Sequence, residues 1–249
     1  MKNQFPQSLS EAVAQAKTAT KEAIADGYTK VQVELVIPEI PLQAQALARE
    51  FADLFAESGS GVKIMFPDTG AAMLAKRDWQ EIPFQVTDMG SRFTPIESQI
   101  TESDEIFILA CPSAVEVERV EKLCNLAGDR PVILLIPQLE DVAIVGIGYT
   151  ARQLRERFIS TLYSSYYLRP LDSAAILRSH PAPWQIWLEQ EDGYELATEL
   201  AHKPLGEELE RLLLKLTNSE AAASNQNHPA GRKSGILGNL QKFLQALSQ

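Results

Sequence analysis

VQVELVIPE (31–39), VKIMFPD (62–68), FQVTDMG (84–90), EIFILACPS (105–113) and PVILLIPQ (131–138) are five short apolar runs, each closed by a proline or a turn residue. Apolar runs of about four to eight residues bounded by Pro, Gly or Asp mark buried strands, because a strand packed on both faces needs no polar side. Segments of helical character fill most of the gaps between them. That alternation predicts a largely parallel sheet with helices on its faces. Ligands in such sheets sit outside the carboxyl ends of the strands, here at Pro38, Asp68, Asp88, Pro112 and Pro137.

Working outward, FPQSLSEAVAQAKTATKEAIADG (5–27) reads as a helix. Ser8 is its expected N-cap, Glu11 completes a capping box, and Gly27 stops it. Ala12, Ala16, Ala19, Ala23 and Ile24 form a small-residue face. LQAQALAREFADLFAESG (42–59), AAMLAKRDW (71–79) and AVEVERVEKLCNLAGD (114–129, with Ser113 as N-cap) are the crossover helices, and another starts near Ala151. Beyond them YYLRPLD, AAILRSH, WQIWLEQ and GYELATEL follow in succession with turn residues between, which predicts an antiparallel meander. EDG (191–193) is a hairpin signal, and LGEELERLLLKL (205–216) is a last helix. The expected class is α/β: a mixed sheet with a largely parallel core flanked by helices, extended by an antiparallel meander, in one domain over 1–216.

Composition changes at 217. Residues 217–234 are small, polar and turn-rich, a flexible linker by composition. Residues 235–249 then place Ile236, Leu237, Leu240, Phe243, Leu244 and Leu247 on one stripe of a C-terminal amphipathic helix. Three destinations suit such a stripe: its own domain, a partner's groove, or a membrane interface.

The chain has 249 residues and a formal net charge of −10. A global acidic excess repels phosphate backbones, so nucleic acid is not an expected partner. Two cysteines, Cys111 and Cys124, make no disulfide framework and suit a reducing compartment. MKNQFPQSLSEAV has no apolar leader core, and no stretch has the roughly 18 apolar residues of a membrane span. A cytoplasmic protein, with peripheral membrane contact as an option, is expected.

Candidate chemistry is sparse. Asp68 and Asp88 each stand in an Asp-x-Gly turn after a strand, where they would be an acid/base pair, cation ligands, or simply turn formers. VGIGYTARQLRER (145–157) offers Gly146, Gly148 and Arg152 as an anion cradle, but lacks the third glycine of a dinucleotide fingerprint. His180, His202 and His228 match no metal spacing. Trp184 and Trp187, with Tyr166 and Tyr167, are a stacking cluster or core packing. No catalytic residue, metal site or cofactor is assigned.

Three stretches carry a resemblance: 5–35, the loop RFTP (92–95), and YYLRPL…ILRSHPAPWQIWLEQ (166–190) with its Arg178-to-Trp184 segment. Over about 5–216 the chain resembles a functionally uncharacterised domain family of cyanobacteria and chloroplasts. Its plant members include a low-photosystem-II-accumulation factor and a domain fused behind a chloroplast adenylate kinase. The resemblance implies an oxygenic phototroph and a thylakoid-linked role. It supplies no active-site residues. The expected function is a non-enzymatic accessory protein that helps assemble or maintain photosystem II by binding one of its subunits or assembly factors. The alternative is a small-molecule or nucleotide-binding enzyme using the strand-end crevice.

Overall fold

The computed structural model describes residues 4–90, 94–140 and 148–224, the last eight of these by backbone alone. The first helix, α1 (Leu9–Ala25), starts where Ser8 Oγ accepts the Glu11 N–H at 3.2 Å, while the Glu11 carboxylate accepts the Gln7 N–H at 2.7 Å. It ends because Gly27 takes φ +94°. That conformation lets the Tyr28 and Gly27 N–H groups close on the carbonyls of Ala23 and Ile24, the Schellman pattern. Its alanine face packs flat on the sheet, with Ala12, Ala16 and Ala23 fully buried.

The sheet comprises β1 (Lys30–Leu35), β2 (Val62–Phe66), β3 (Gln85–Asp88), β4 (Ile106–Ala110), β5 (Val132–Leu135), β6 (Tyr163–Leu171), β7 (Ala174–Ser179), β8 (Trp184–Gln190) and β9 (Gly193–Leu200). Their order is β3-β2-β4-β5-β1-β6-β7-β8-β9. All five apolar runs are parallel strands. β6 also runs parallel to β1, and it turns the sheet antiparallel by pairing with β7. The meander is as expected, and Gln190 pairs with Gly193 across the two-residue Glu191–Asp192 turn.

The remaining helices are α2 (Ala44–Ala52), α3 (Thr69–Asp78), α4 (Val117–Ala127), α5 (Tyr149–Arg157) and α6 (Gly206–Ser224). Three differ from expectation. The helix expected over 42–59 ends at Ala52 and continues as 3₁₀ turns interrupted at Phe55 and Gly59. The start of α4 is Val117, because Ser113 and Glu116 hold the preceding turn: Ser113 Oγ donates to the Glu116 carboxylate at 2.6 Å. The last helix does not stop at 216 but runs to Ser224. Glu220 and Ala221 to Ala223 are strong helix formers, and they override the polar composition that predicted a linker from 217. The rest of that linker and the stripe Ile236, Leu237, Leu240, Phe243, Leu244 and Leu247 lie outside the described residues.

One face of the sheet buries Val31, Val33, Ile64 and Ile108 against α1, α2 and α3. The other buries Met65, Phe107, Leu109 and Leu134 against α4 and α5. On this second face α6 forms a separate cluster over the meander with Tyr167, Ile176, Trp184 and Ile186. Trp187 lies on the first face, opposite Trp184, as strand alternation requires.

The amino edge of the parallel sheet is closed by polar networks. Lys63 Nζ, at the start of β2, donates to Asp104 Oδ2 at 2.7 Å and to the Gln99 carbonyl at 2.6 Å. Asp104 also accepts the Thr101 N–H at 2.7 Å and Gln85 Nε2 at 3.2 Å. Burial pushes the Asp104 carboxyl up, but the hydrogen bonds from Lys63 and Thr101 outweigh it and hold the pKa below its ordinary value. Arg130 ties down the carbonyls of Thr101, Asp104, Leu126 and Ala127.

Candidate functional site

β1 is central, yet only one of its faces is apolar. Val31, Val33 and Leu35 are buried on the α1 side, while Lys30, Gln32 and Glu34 alternate onto the other and are half-buried. That second face is left uncovered between the α4–α5 cluster and the α6 cluster, so a groove runs there to the carboxyl ends of β1, β5 and β6. Its polar lobe, of about 830 Å³, is lined by Gln32, Glu34, Ser113, Gln138, Arg169 and Lys203, among others. An apolar lobe of about 490 Å³ adjoins it over Pro38, Ile40, Ile136, Pro137 and Pro170. The two share Glu34, Val36, Pro137 and Gln138.

Glu34 is the centre of the polar lobe. It accepts Ser164 Oγ at 2.7 Å from β6 and Lys203 Nζ at 2.9 Å from the β9–α6 loop. Lys203 reaches it by crossing the Tyr167 ring, its Nζ 4.1 Å from the ring centroid and 5.6 Å from that of Trp184. Tyr167 in turn meets Trp184 edge to face at 5.1 Å. Burial first, and the Glu34 charge second, push the Tyr167 hydroxyl up to about 12. The phenol stays neutral and serves as the floor of the site.

The rim is strained. Glu39 after β1, Cys111 after β4 and Ile136 after β5 have φ of +63°, +51° and +46°. A non-glycine residue rarely adopts the left-handed region, and a β-branched one such as Ile136 is a true outlier. The backbone bonds of Cys111 to the Leu135 carbonyl and of Ile136 to the Val33 carbonyl impose these turns. Strain of this kind concentrates at binding and catalytic sites. Burial, then the Glu116 carboxylate, raises the Cys111 thiol above its usual range, which suppresses the reactive thiolate.

Of the residues singled out from sequence, Pro38 and Pro137 line the groove and Tyr167 and Trp184 pack beneath Lys203, whereas the aspartate, glycine and Arg152 candidates fall elsewhere. Asp68 accepts the Ala71 N–H at 2.9 Å as the N-cap of α3. Asp88 accepts Thr69 Oγ1 at 2.8 Å and the Gly90 N–H at 2.7 Å. Both aspartates stand at the carboxyl edge, on adjacent strands, as turn formers. Gly148 is the N-cap of α5, its carbonyl accepting the Arg152 N–H at 3.2 Å with no side chain to cap the helix, Arg152 is exposed on that helix, and Gly146 is outside the described residues. Asp68, Asp88, Gly148 and Arg152 do not line the groove. Among the described residues no group of three or more His, Cys, Asp and Glu could hold a metal ion.

The Arg178-to-Trp184 segment forms a brace. The Arg178 guanidinium lies 4.7 Å from the Tyr163 centroid and 5.1 Å from that of Trp184. Tyr163 stacks on Tyr28 at 3.6 Å and hydrogen-bonds His180 Nδ1 at 2.7 Å, and His180 Nε2 meets Asp26 at 2.9 Å. The segment joins the end of α1 to the start of β6 and sets the Trp184 wall against which Tyr167 and Lys203 pack.

Fold and site together define an α/β protein with a six-stranded parallel sheet, an antiparallel extension, and a two-lobed groove at the carboxyl edge. Residues 6–211 match the family described as a domain of unknown function, DUF1995, and the chain belongs to that family. Among the described residues no helix is long and apolar enough to cross a membrane.

Proposed function

We propose that this protein is a non-enzymatic accessory factor that helps assemble or maintain the photosynthetic apparatus, photosystem II in particular, by binding a subunit or assembly factor at its carboxyl edge. The observation that carries this reading is a set of exposed apolar side chains on the segments that follow the parallel strands, of which Val36 lines the groove. Val36 and Leu42 after β1, Val115 after β4 and Tyr149 after β5 are 45%, 79%, 59% and 74% exposed. Large exposed apolar side chains at one edge of the sheet favour a protein partner. Glu34 adds support: its two oxygens are engaged by Ser164 and Lys203, as suits a recognition surface. The stretches 5–35 and 166–190 resemble a family whose plant members include a low-photosystem-II-accumulation factor; that resemblance supplies the photosynthetic context, and a peripheral thylakoid contact goes with it.

The test is a pull-down with the tagged full chain from thylakoid membranes in mild detergent, against a Val36→Asp/Leu42→Asp variant. Stoichiometric recovery of a photosystem II subunit by the wild type, lost in the variant, is the expected result. Recovery of no photosynthetic protein, or retention of a nucleotide by the purified chain, would overturn the reading in favour of the strand-end enzyme.

A further inference from the structure

We infer that the groove receives a free carboxylate at the end of an apolar chain: the C-terminus of a partner protein, its carboxylate held by Arg169 and Lys203 and its last apolar side chain seated among Pro38, Pro137 and Pro170. This rests on the protein-binding reading above and specifies what is bound.

The charges point to an anion. The chain as a whole carries −10. Yet the acids of the groove are already satisfied: Glu34 by Lys203 and Ser164, Glu140 by Arg155 at 2.8 Å, and Glu116 behind Ser113 by its N–H at 3.0 Å and its Oγ. Arg169 lines the polar lobe and makes no ion pair among the described residues; its guanidinium faces the Tyr167 hydroxyl, a neutral partner that leaves its charge uncompensated and other N–H donors for a ligand. A guanidinium is a planar fork that matches a carboxylate with two parallel hydrogen bonds. Lys203 stands in the same lobe with donors beyond the one given to Glu34.

The shape points to a chain end. Val36 N–H bonds the Leu168 carbonyl at 2.8 Å, which sets Val36 beside Arg169 where the lobes meet, and Pro170, the next residue, lines the apolar lobe. A carboxylate on Arg169 therefore has an apolar recess beside it. The groove is open to solvent along the sheet edge. A small acid would remain largely hydrated there, whereas sites for small molecules enclose most of their ligand. A polypeptide end can fill both lobes and leave by the open side.

The test titrates the full-length protein with the N-acetylated peptide Gly-Gly-Ser-Val-Leu bearing a free carboxylate, with the same peptide as its C-terminal amide, and with octanoate. The free acid should bind at least about tenfold more tightly than the amide. Arg169→Gln should remove that difference, and Arg169→Lys should restore part of it. Glu34→Gln, which releases Lys203, should tighten the free acid several-fold, so the inference stays testable if Arg169→Gln fails to fold. Equal binding of acid and amide, no effect of either substitution, or binding of octanoate in place of the peptide overturns it. Loss of peptide discrimination with photosystem capture intact would sink this inference and spare the reading it rests on. Peptide discrimination without photosystem capture would do the reverse.

Discussion

The two edges of one parallel sheet are built on opposite plans. At the amino edge, Lys63 and Asp104 form a buried pair, 4% and 1% exposed, and Arg130 ties the end of α4 to the segment that carries Thr101 and Asp104. At the carboxyl edge the chain leaves β1, β4 and β5 through left-handed turns, exposes Val36, Leu42 and Val115, and leaves a groove. Polar groups at the first edge satisfy each other. At the second, Arg169 lines an open groove and has no ion-pair partner among the described residues. The difference teaches where to look for stability and where for binding, even though both edges carry charged and apolar residues.

The largest expected effect tests the closed edge. Asp104→Ala strands the Lys63 ammonium in the core and should cost about 3–5 kcal/mol in urea unfolding; a loss under about 1 kcal/mol would show that the network is ornamental. The contribution has a defined pH sign. Asp104 has a depressed folded-state pKa, so its stabilisation is fully present above the unfolded value of about 3.9 and is lost as pH falls through the folded value. The stability gap between wild type and variant should be constant from pH 7 to about pH 5 and close only in stronger acid.

A smaller effect breaks the contrast at one point, because part of the carboxyl edge is also rigid. Gly90 has φ +78°, and a Cβ there would lie 2.3 Å from the Thr94 carbonyl oxygen. Gly90→Ala should destabilise by more than about 1 kcal/mol, and an unchanged melting temperature would mean that this loop moves freely. The smallest effect sharpens the contrast. Glu39 is exposed and left-handed, so Glu39→Gly should raise stability by a few tenths to about 1 kcal/mol. A fall in stability would mean that Glu39 makes contacts that outweigh its strain.

β2, β4 and β5 were legible because they are apolar runs buried on both faces, and the hairpin because Glu191–Asp192–Gly193 is turn chemistry. The groove was harder to see. VQVELVIPE looks continuously apolar at its end, but Lys30, Gln32 and Glu34 alternate with Val31, Val33 and Leu35. In a central strand that alternation means one face lacks a helix. The partner of Glu34 was hidden by distance along the chain, since Lys203 is 169 residues away. Asp68 and Asp88 drew attention for their position after strands, and local turn bonding accounts for both. Nothing local distinguishes Arg178 from a surface arginine; its rings, Tyr163 and Trp184, come from two other strands.

The place of β1 has a consequence for how the chain acquires its structure. β1 is the first strand synthesised, yet Lys30 pairs with Val132 and Val31 with Tyr163. On the ribosome it must wait, unpaired on both sides, until β5 has been made, and on one side until β6 follows. Parallel pairing across so long a loop closes late and slowly. During that interval its two free edges are exposed to other chains, and in that window α1, already able to lay its alanine face on Val31 and Val33, would act as a chaperone in cis.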